Sequence, residues 1–305
     1  MKHGIKLIAI FVILLISTKA NAQSDFQGTA TYMSKTTMDL DKWGGSKMSP
    51  ERKKMIAERM KSMFEKTYIL TFNKRESIYK EEEQLDAPGG RGGFGGMMKS
   101  FTGGAQYKNV KESVMLQEQD FFGKQFLIAD SIPVLNWEMT GETKQIGKYM
   151  CFKATAMKPV DEFDWTNMRR KRKGDKKKDD AKTEDAAKET AKVETDSTKS
   201  TTKSFMDGIE VPKEIEVTAW YTMQVPVSNG PGEFAGLPGL ILELNSGRTT
   251  ILCSSITLNS KEKKDIKRPT KGKNVTKKEY NDIVKKKMEE MRAMYGGRRG
   301  RGGRK

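Results

Sequence analysis

The sequence predicts a mainly β fold, in which a single domain of antiparallel strands forms a curved sheet or a partly open barrel. Short runs of alternating apolar residues recur along the 305-residue chain, and Gly, Asn or Ser separates many of them. Most connections are too short for the helical crossovers that parallel strands need. Two peripheral helices and two disordered insertions complete the expected domain.

The strands are predicted in chain order. The first begins at Phe26, where apolar residues alternate through Met33. The later strands are expected at residues 67–72, 76–80, 105–109, 113–117, 125–129, 136–140, 148–155, 210–219, 240–244 and 249–257. Ser246 and Gly247, between the last two, are typical of a tight hairpin turn.

Two segments carry helix signals. Ser49 and Pro50 predict the start of a helix over residues 49–65, because serine can cap free N–H groups and proline suits the first helical position. Thr276 and Glu279 form a capping-box pattern that opens a helix predicted over residues 277–295. Apolar residues recur at helical spacing along that second segment.

Residues 1–22 are predicted to be a secretory signal peptide. Basic residues precede a short apolar run, and Ala20 and Ala22 form a small-residue cleavage site. The run is too short to span a bilayer, which needs about 20 apolar residues. Cleavage near Ala22 would leave a domain over residues 23–295 in the periplasm or outside the cell.

Three segments have a composition that cannot build a core. Residues 87–104 are rich in glycine, residues 160–205 are charged and nearly free of apolar side chains, and residues 296–305 form a basic Gly/Arg tail. Glycine loses the most conformational entropy on ordering, and charged segments bury too little apolar surface. All three are predicted to be disordered.

Charge and histidine content limit the chemistry. Removing residues 1–22 takes away three lysines and no acids, so the net charge falls from +17 to +14. It also removes His3, the sole histidine. A chain without histidine has no Ser-His or Cys-His nucleophile pair and no His-ligated zinc. A hydrolase would then need a Ser-Lys pair or paired carboxylates, and the acidic clusters at residues 81–83 and 161–164 are expected to be solvated charge. The protein is therefore not expected to be an enzyme, and no cofactor or metal site is predicted.

The hexapeptide Gly236, Leu237, Pro238, Gly239, Leu240, Ile241 is the most distinctive motif. Proline fixes its own φ and glycine permits a positive φ, so a type II turn is predicted with Gly239 at the positive-φ position. The turn would set the register of the buried strand 240–244. The alternative is an exposed turn that docks a partner.

The segment from 219 to 244 resembles the GLPGLI family of exported Bacteroidota proteins, which is named after this hexapeptide. The similarity extends through residues 123–130, 144–147 and 151–155, and covers most of residues 105–258. The resemblance implies a β-rich exported protein of a bacterium with two membranes. It supplies no catalytic residues.

The two cysteines, Cys151 and Cys253, lie in predicted strands. Export permits a disulfide between them. The alternative is a pair of buried free thiols that act as small hydrophobes. The sequence leaves both open.

The leading functional hypothesis is an exported, non-enzymatic envelope accessory or binding protein of unknown ligand. Its candidate ligand or partner contacts are Trp220, Tyr221 and Phe234, for which core packing is the alternative; Trp165 beside the charged insertion is a further exposed candidate. The expected partners are an outer-membrane receptor, a lipid or an anionic envelope surface, and export argues against nucleic acid.

Two alternative functions remain open. Basic tracts favour binding to a polyanion or a membrane surface. The 19 methionines suggest copper binding, since thioethers suit Cu(I), but Met55, Met60, Met63, Met288 and Met291 have helical spacing, which favours core packing.

Overall fold

A computed structural model describes residues 26–37, 48–59, 61–82, 103–161, 164, 167, 169–170, 209–210, 212–262 and 264–296. The predicted signal peptide, most of both predicted insertions and nearly all of the predicted tail lie outside these residues. At the border of the second insertion, the N–H of Val160 donates to the carbonyl of Lys213 at 3.0 Å, and Arg169–Arg170 pairs with Ile209–Glu210. The β structure therefore extends further into this range than predicted.

The described residues contain fourteen strands and three helical segments. The strands are β1 (Gln27–Thr36), β2 (Glu65–Asn73), β3 (Glu76–Glu81), β4 (Gln106–Asn109), β5 (Val114–Phe121), β6 (Lys124–Ser131), β7 (Glu138–Ile146), β8 (Tyr149–Pro159), β9 (Arg169–Arg170), β10 (Ile209–Glu210), β11 (Glu214–Thr222), β12 (Leu240–Ser246), β13 (Thr249–Leu258) and β14 (Lys273–Val275). The helices are α1 (Pro50–Arg59), α2 (Lys61–Phe64) and α3 (Lys277–Gly296).

Twelve of the described strands form one open sheet in the order β14-β6-β5-β4-β3-β2-β1-β13-β12-β11-β8-β7. The mainly β prediction is confirmed, and every neighbouring pair in this sheet is antiparallel except β14, which runs parallel to β6. β14 was not predicted, because a three-residue strand is too short to show an apolar alternation. β1 lies at the centre, between β2 and β13.

One face of the sheet, called here the inner face, carries the main apolar core. Tyr32, Leu70 and Phe72 are fully buried on it. The predicted buried strand after the hexapeptide is confirmed, since Leu240 and Leu244 are also fully buried. The predicted hairpin is confirmed as well, with β12 and β13 joined by a turn whose glycine has a positive φ of 59°.

The first predicted helix corresponds to α1 and α2, which lie on either side of the undescribed residue 60. α1 begins as predicted, with the N–H of Arg52 donating to the Ser49 hydroxyl at 3.4 Å, but α2 ends at Phe64 and β2 starts at the next residue. Glu65 pairs with Lys35 of β1, so pairing with the central strand ends the helix. Met60, inside the predicted helix, lies outside the described part of the chain.

The C-terminal helix α3 packs its apolar side on the inner face, near the sheet edge formed by β14 and β6. Tyr280 contacts Phe126 with ring centroids 5.6 Å apart, and Val284 is buried beside it. The predicted capping box is confirmed, because the Thr276 N–H donates to the Glu279 carboxylate at 2.8 Å and the Glu279 N–H donates to the Thr276 hydroxyl at 3.2 Å. Among the described helices, none is both long and apolar enough to cross a membrane.

Replacing Thr276 by alanine is expected to destabilise α3 by about 1 kcal/mol, because the Glu279 N–H loses its side-chain acceptor. Urea unfolding followed by circular dichroism measures the change. Thr270→Ala is the matched control, since Thr270 is exposed and outside any described helix. An equal loss in both variants would contradict the capping role.

Candidate functional site

The candidate site is the loop of residues 223–239, called here the β11–β12 loop. It joins two neighbouring antiparallel strands, which a two-residue turn is enough to connect. The loop instead continues beyond the ends of these two strands and crosses the inner face to reach β3 and β4. The predicted hexapeptide begins inside this loop and runs into β12.

Lys108 of β4 hydrogen-bonds the loop to the half of the sheet that does not contain β11 and β12. Its side chain is fully buried, and its Nζ donates to the carbonyl oxygens of Gly230 at 2.8 Å and Phe234 at 2.9 Å. β4 lies five strand positions from β12, which is about 24 Å along a flat sheet. The amine therefore joins parts of the molecule that the sheet itself keeps apart.

Burial beneath the loop disfavours the charged form of the Lys108 amine. Burial lowers the pKa of Lys108 to about 7, and the nearby Glu233 carboxylate opposes this shift only in part. Glu233 is itself paired with Lys158. A neutral amine keeps two N–H donors, so Lys108 can hold both carbonyls in either protonation state.

Asn229 adds a second buried polar contact. Its Oδ1 accepts the N–H of Gly230 at 2.9 Å and the hydroxyl of Ser77 at 3.3 Å. Ser77 lies directly opposite Lys108 in the β3–β4 register, so both project from the same face. The loop is thus bound to two adjacent strands at one place.

The hexapeptide does not form the predicted type II turn. Its positive φ, 97°, occurs at Gly236 rather than at Gly239. Glycine is required at 239 for a different reason: a Cβ there would lie 2.1 Å from the carbonyl oxygen of Thr222. The backbone of the loop therefore approaches that of β11 more closely than any side chain permits.

The rest of the motif is built into the core. Leu237 and Ile241 are buried, whereas Pro238 is exposed. Next to the motif, the Trp137 indole N–H donates to the carbonyl of Ala235 at 3.0 Å. These contacts favour the interpretation of the hexapeptide as a bend that seats the buried strand. Docking of a partner stays an untested alternative.

The three candidate contact residues do not form a common surface. Tyr221 and Phe234 are buried in one apolar cluster, and the Tyr221 hydroxyl donates to the sulfur of Met139 at 3.3 Å. Trp220 is half-buried in a different cluster, with the Lys144 ammonium 4.2 Å from its ring centroid. Trp165 lies outside the described residues.

The structure contains two free thiols rather than a disulfide. Cys151 and Cys253 are both buried, on strands β8 and β13. Two strands separate β8 from β13 in the sheet, and both thiols lie in one apolar cluster without being bonded to each other. Burial raises the pKa of Cys151 to about 11 and that of Cys253 to about 12.

Both cysteines are expected to resist a thiol reagent at pH about 8 in the folded protein, because little thiolate forms there. The same reagent should label two thiols after unfolding in urea without reductant. Labelling counted by intact mass makes the test. Finding no reactive thiol after unfolding would contradict the free-thiol structure.

Metal binding has limited support. Among the described residues, no group of three or more His, Cys, Asp or Glu side chains is arranged to hold a metal ion. Of the methionines in the described helices, Met55 is exposed, whereas Met288 packs against the apolar cluster that contains Tyr280 and Val284. The copper hypothesis itself stays untested.

The chain matches a family described as a protein of unknown function (Porph_ging) over residues 137–243. No curated protein matches the sequence. Two solved structures of PNGF-II, in space groups C2 and P21, are similar to the fold with a TM-score of 0.43 each and 12% and 13% sequence identity. They cover 85% and 86% of this chain but only 32% and 33% of PNGF-II, so the chain spans about a third of that protein's length.

Proposed function

We propose that this protein is an exported, non-enzymatic accessory or binding protein of the bacterial envelope that belongs to a GLPGLI-type family and acts through its outer surface. The observation that carries the proposal is the attachment of the β11–β12 loop to Lys108 through two buried carbonyl groups. A ligand that bound to the inner face would have to displace this loop and leave those carbonyl groups without a hydrogen-bond donor. Burying unpaired carbonyl groups costs free energy. Binding at the exterior requires no such rearrangement.

The available nucleophiles support a non-enzymatic role. The amine of Lys108 is engaged by two carbonyls, and the raised pKa values of both thiols disfavour the reactive thiolate. The chain that follows a cleaved signal peptide has no histidine to act as a general base. These groups act as packing and anchoring elements.

Family and location are supported by the sequence. The match over residues 137–243 overlaps the segment that resembles the GLPGLI family. Residues 1–22 carry the charge, apolar run and small residues of a signal peptide. Together they favour export across the inner membrane, with the periplasm or the cell surface as the destination.

Cell fractionation in a Bacteroidota host tests the proposal. The wild-type chain is expected outside the cytoplasm, with an N-terminus near Gln23 in its intact mass. The variant Ala20→Arg, Ala22→Arg should retain residues 1–22, because cleavage sites need small residues at these positions. Recovery of the full-length wild type in the cytoplasm would overturn the proposal.

A further inference from the structure

The segment of residues 259–272, called here the β13–β14 segment, crosses half of the sheet. It starts beside the central strands and ends at β14, on the sheet edge. Its Ile266 packs against Tyr107, Leu116 and Leu127. Tyr107 is next to the inward-facing Lys108 in β4 and therefore points to the opposite side of the sheet, called here the outer face. Because Ile266 packs against Tyr107, the segment lies on this outer face.

Several contacts fix the segment to the sheet. The side-chain amide of Gln27 donates to the carbonyl of Lys264 at the start of the crossing. Arg268 lies 3.7 Å from the Glu112 carboxylate near its middle. At its end, β14 pairs with β6. The segment is therefore a fixed surface and not a free tail.

The segment and the residue that follows it carry an excess of exposed positive charge. The exposed bases are Lys261, Lys264, Lys267, Arg268, Lys271 and Lys273, and the exposed acids are Glu262 and Asp265. Lys264, Lys267 and Lys271 form no ion pair with any described residue. Their charges are thus available to a partner.

We propose that the β13–β14 segment docks the protein on an anionic phospholipid membrane by contacting the headgroup phosphates. These cations are spread over an extended segment of the outer face. Such an arrangement fits the many phosphates of a membrane plane better than it fits a single small ligand. Lysine suits this role because it is a hydrated point charge on a flexible stem. The inference rests on the proposed envelope location, where such membranes are available.

The contribution of each lysine follows from membrane electrostatics. A basic residue near an anionic surface strengthens binding by roughly fivefold, and the attraction falls off within a Debye length of about 8 Å at physiological salt. The triple variant Lys264→Gln, Lys267→Gln, Lys271→Gln should therefore bind on the order of 100-fold more weakly. All three side chains are exposed, so folding should be unchanged.

Helix α3 provides a matched control. It packs on Phe126 and Ile128 of β6, which alternate with Leu127 beneath the β13–β14 segment. α3 therefore covers the opposite face of the same sheet edge. The variant Lys278→Gln, Lys285→Gln, Lys286→Gln removes the same charge from exposed positions on α3.

The experiment is sedimentation of the chain without residues 1–22 on vesicles of phosphatidylglycerol and phosphatidylcholine, with pure phosphatidylcholine vesicles as the uncharged reference. The expected result is salt-sensitive binding to the anionic vesicles alone, lost in the segment triple and within about fivefold of wild type in the α3 triple. Equal losses in both triples would overturn the proposal, because net charge alone would then explain binding. Wild-type vesicle binding by the triple variant of the β13–β14 segment would overturn the proposal too. In that case, truncation of residues 297–305 would show whether the basic tail causes the binding.

Failure of this inference is separable from failure of the proposed function. If the protein is exported in the fractionation experiment but does not bind vesicles, the docking proposal is contradicted and the proposed envelope role is kept. Vesicle binding by a chain that stays in the cytoplasm would remove the envelope role.

Discussion

Replacing Gly239 by alanine is expected to destabilise the domain by about 3 kcal/mol, at the upper end of the usual cost of overpacking. The added Cβ would lie 2.1 Å from the carbonyl oxygen of Thr222 and 2.6 Å from its carbonyl carbon. Both are backbone atoms of β11, and Thr222 pairs directly with Leu240 of β12. Relief therefore requires separating two core strands rather than rotating a side chain. Valine at this position should be worse.

Pro238→Ala is the matched control for that variant. Pro238 is the preceding residue of the same motif and is exposed, so its replacement should cost less than about 1 kcal/mol, mainly through the entropy of the unfolded chain. Urea unfolding midpoints of the two variants give the comparison. Similar stability of Gly239→Ala and wild type would contradict the close approach of the two backbones.

Replacing Lys108 by methionine is expected to destabilise the protein more at high pH than at neutral pH. Methionine fills a similar volume but leaves the carbonyls of Gly230 and Phe234 without their donor. Each unpaired buried carbonyl costs about 1–3 kcal/mol, so the loss of both partners should reach about 2–6 kcal/mol where the amine is neutral. Near pH 7 and below, the loss is smaller because wild type bears the cost of a buried charge.

The sign of the pH dependence follows from the pKa of Lys108. It is about 7 in the folded protein and 10.5 in the reference state. Between these values the unfolded chain binds more protons, so wild-type stability rises with pH, by at most about 1.4 kcal/mol per pH unit, and is lost as pH falls towards 7. Lys108→Met should lack this rise.

Urea unfolding between pH about 6 and about 9 measures this difference. The range ends there because burial raises the pKa of Tyr32, Tyr68 and Tyr79, so these groups lower stability at higher pH. The raised pKa values of the two thiols act near the upper end of the range, but equally in both proteins, so the difference between the two curves isolates Lys108. Lys285→Met, at an exposed position of α3, should run parallel to wild type. A parallel curve for Lys108→Met would contradict the buried, neutral amine.

Local features of the fold were predictable from sequence because local chemistry determines them. The hairpin at Gly247 has a positive-φ glycine between two apolar runs, and the capping box at Thr276 uses residues three positions apart. The buried strand starting at Leu240 follows from its continuous apolar run. Each depends on neighbours that the sequence itself places together.

Long-range features were not predictable in the same way. Lys108 lies in a short polar strand and resembles an ordinary exposed strand lysine, because its two acceptors are more than a hundred residues away. The position of β1 between β2 and β13 likewise depends on pairing between the two ends of the domain. Gly239 was correctly singled out, but for its φ rather than for the nearby backbone of β11.

Hydrogen exchange of the amides in the β11–β12 loop and at the start of β12 tests the central claim that this loop is part of the core. The N–H of Leu240 donates to the carbonyl of Val225 and that of Ile241 donates to the carbonyl of Asn229, both at 3.0 Å, and Lys108 holds the carbonyls of Gly230 and Phe234 in the same loop. These amides should exchange as slowly as those of β11 and β12, and faster exchange should appear in Lys108→Met. Rapid exchange in the wild-type protein, as in an exposed docking loop, would contradict the account.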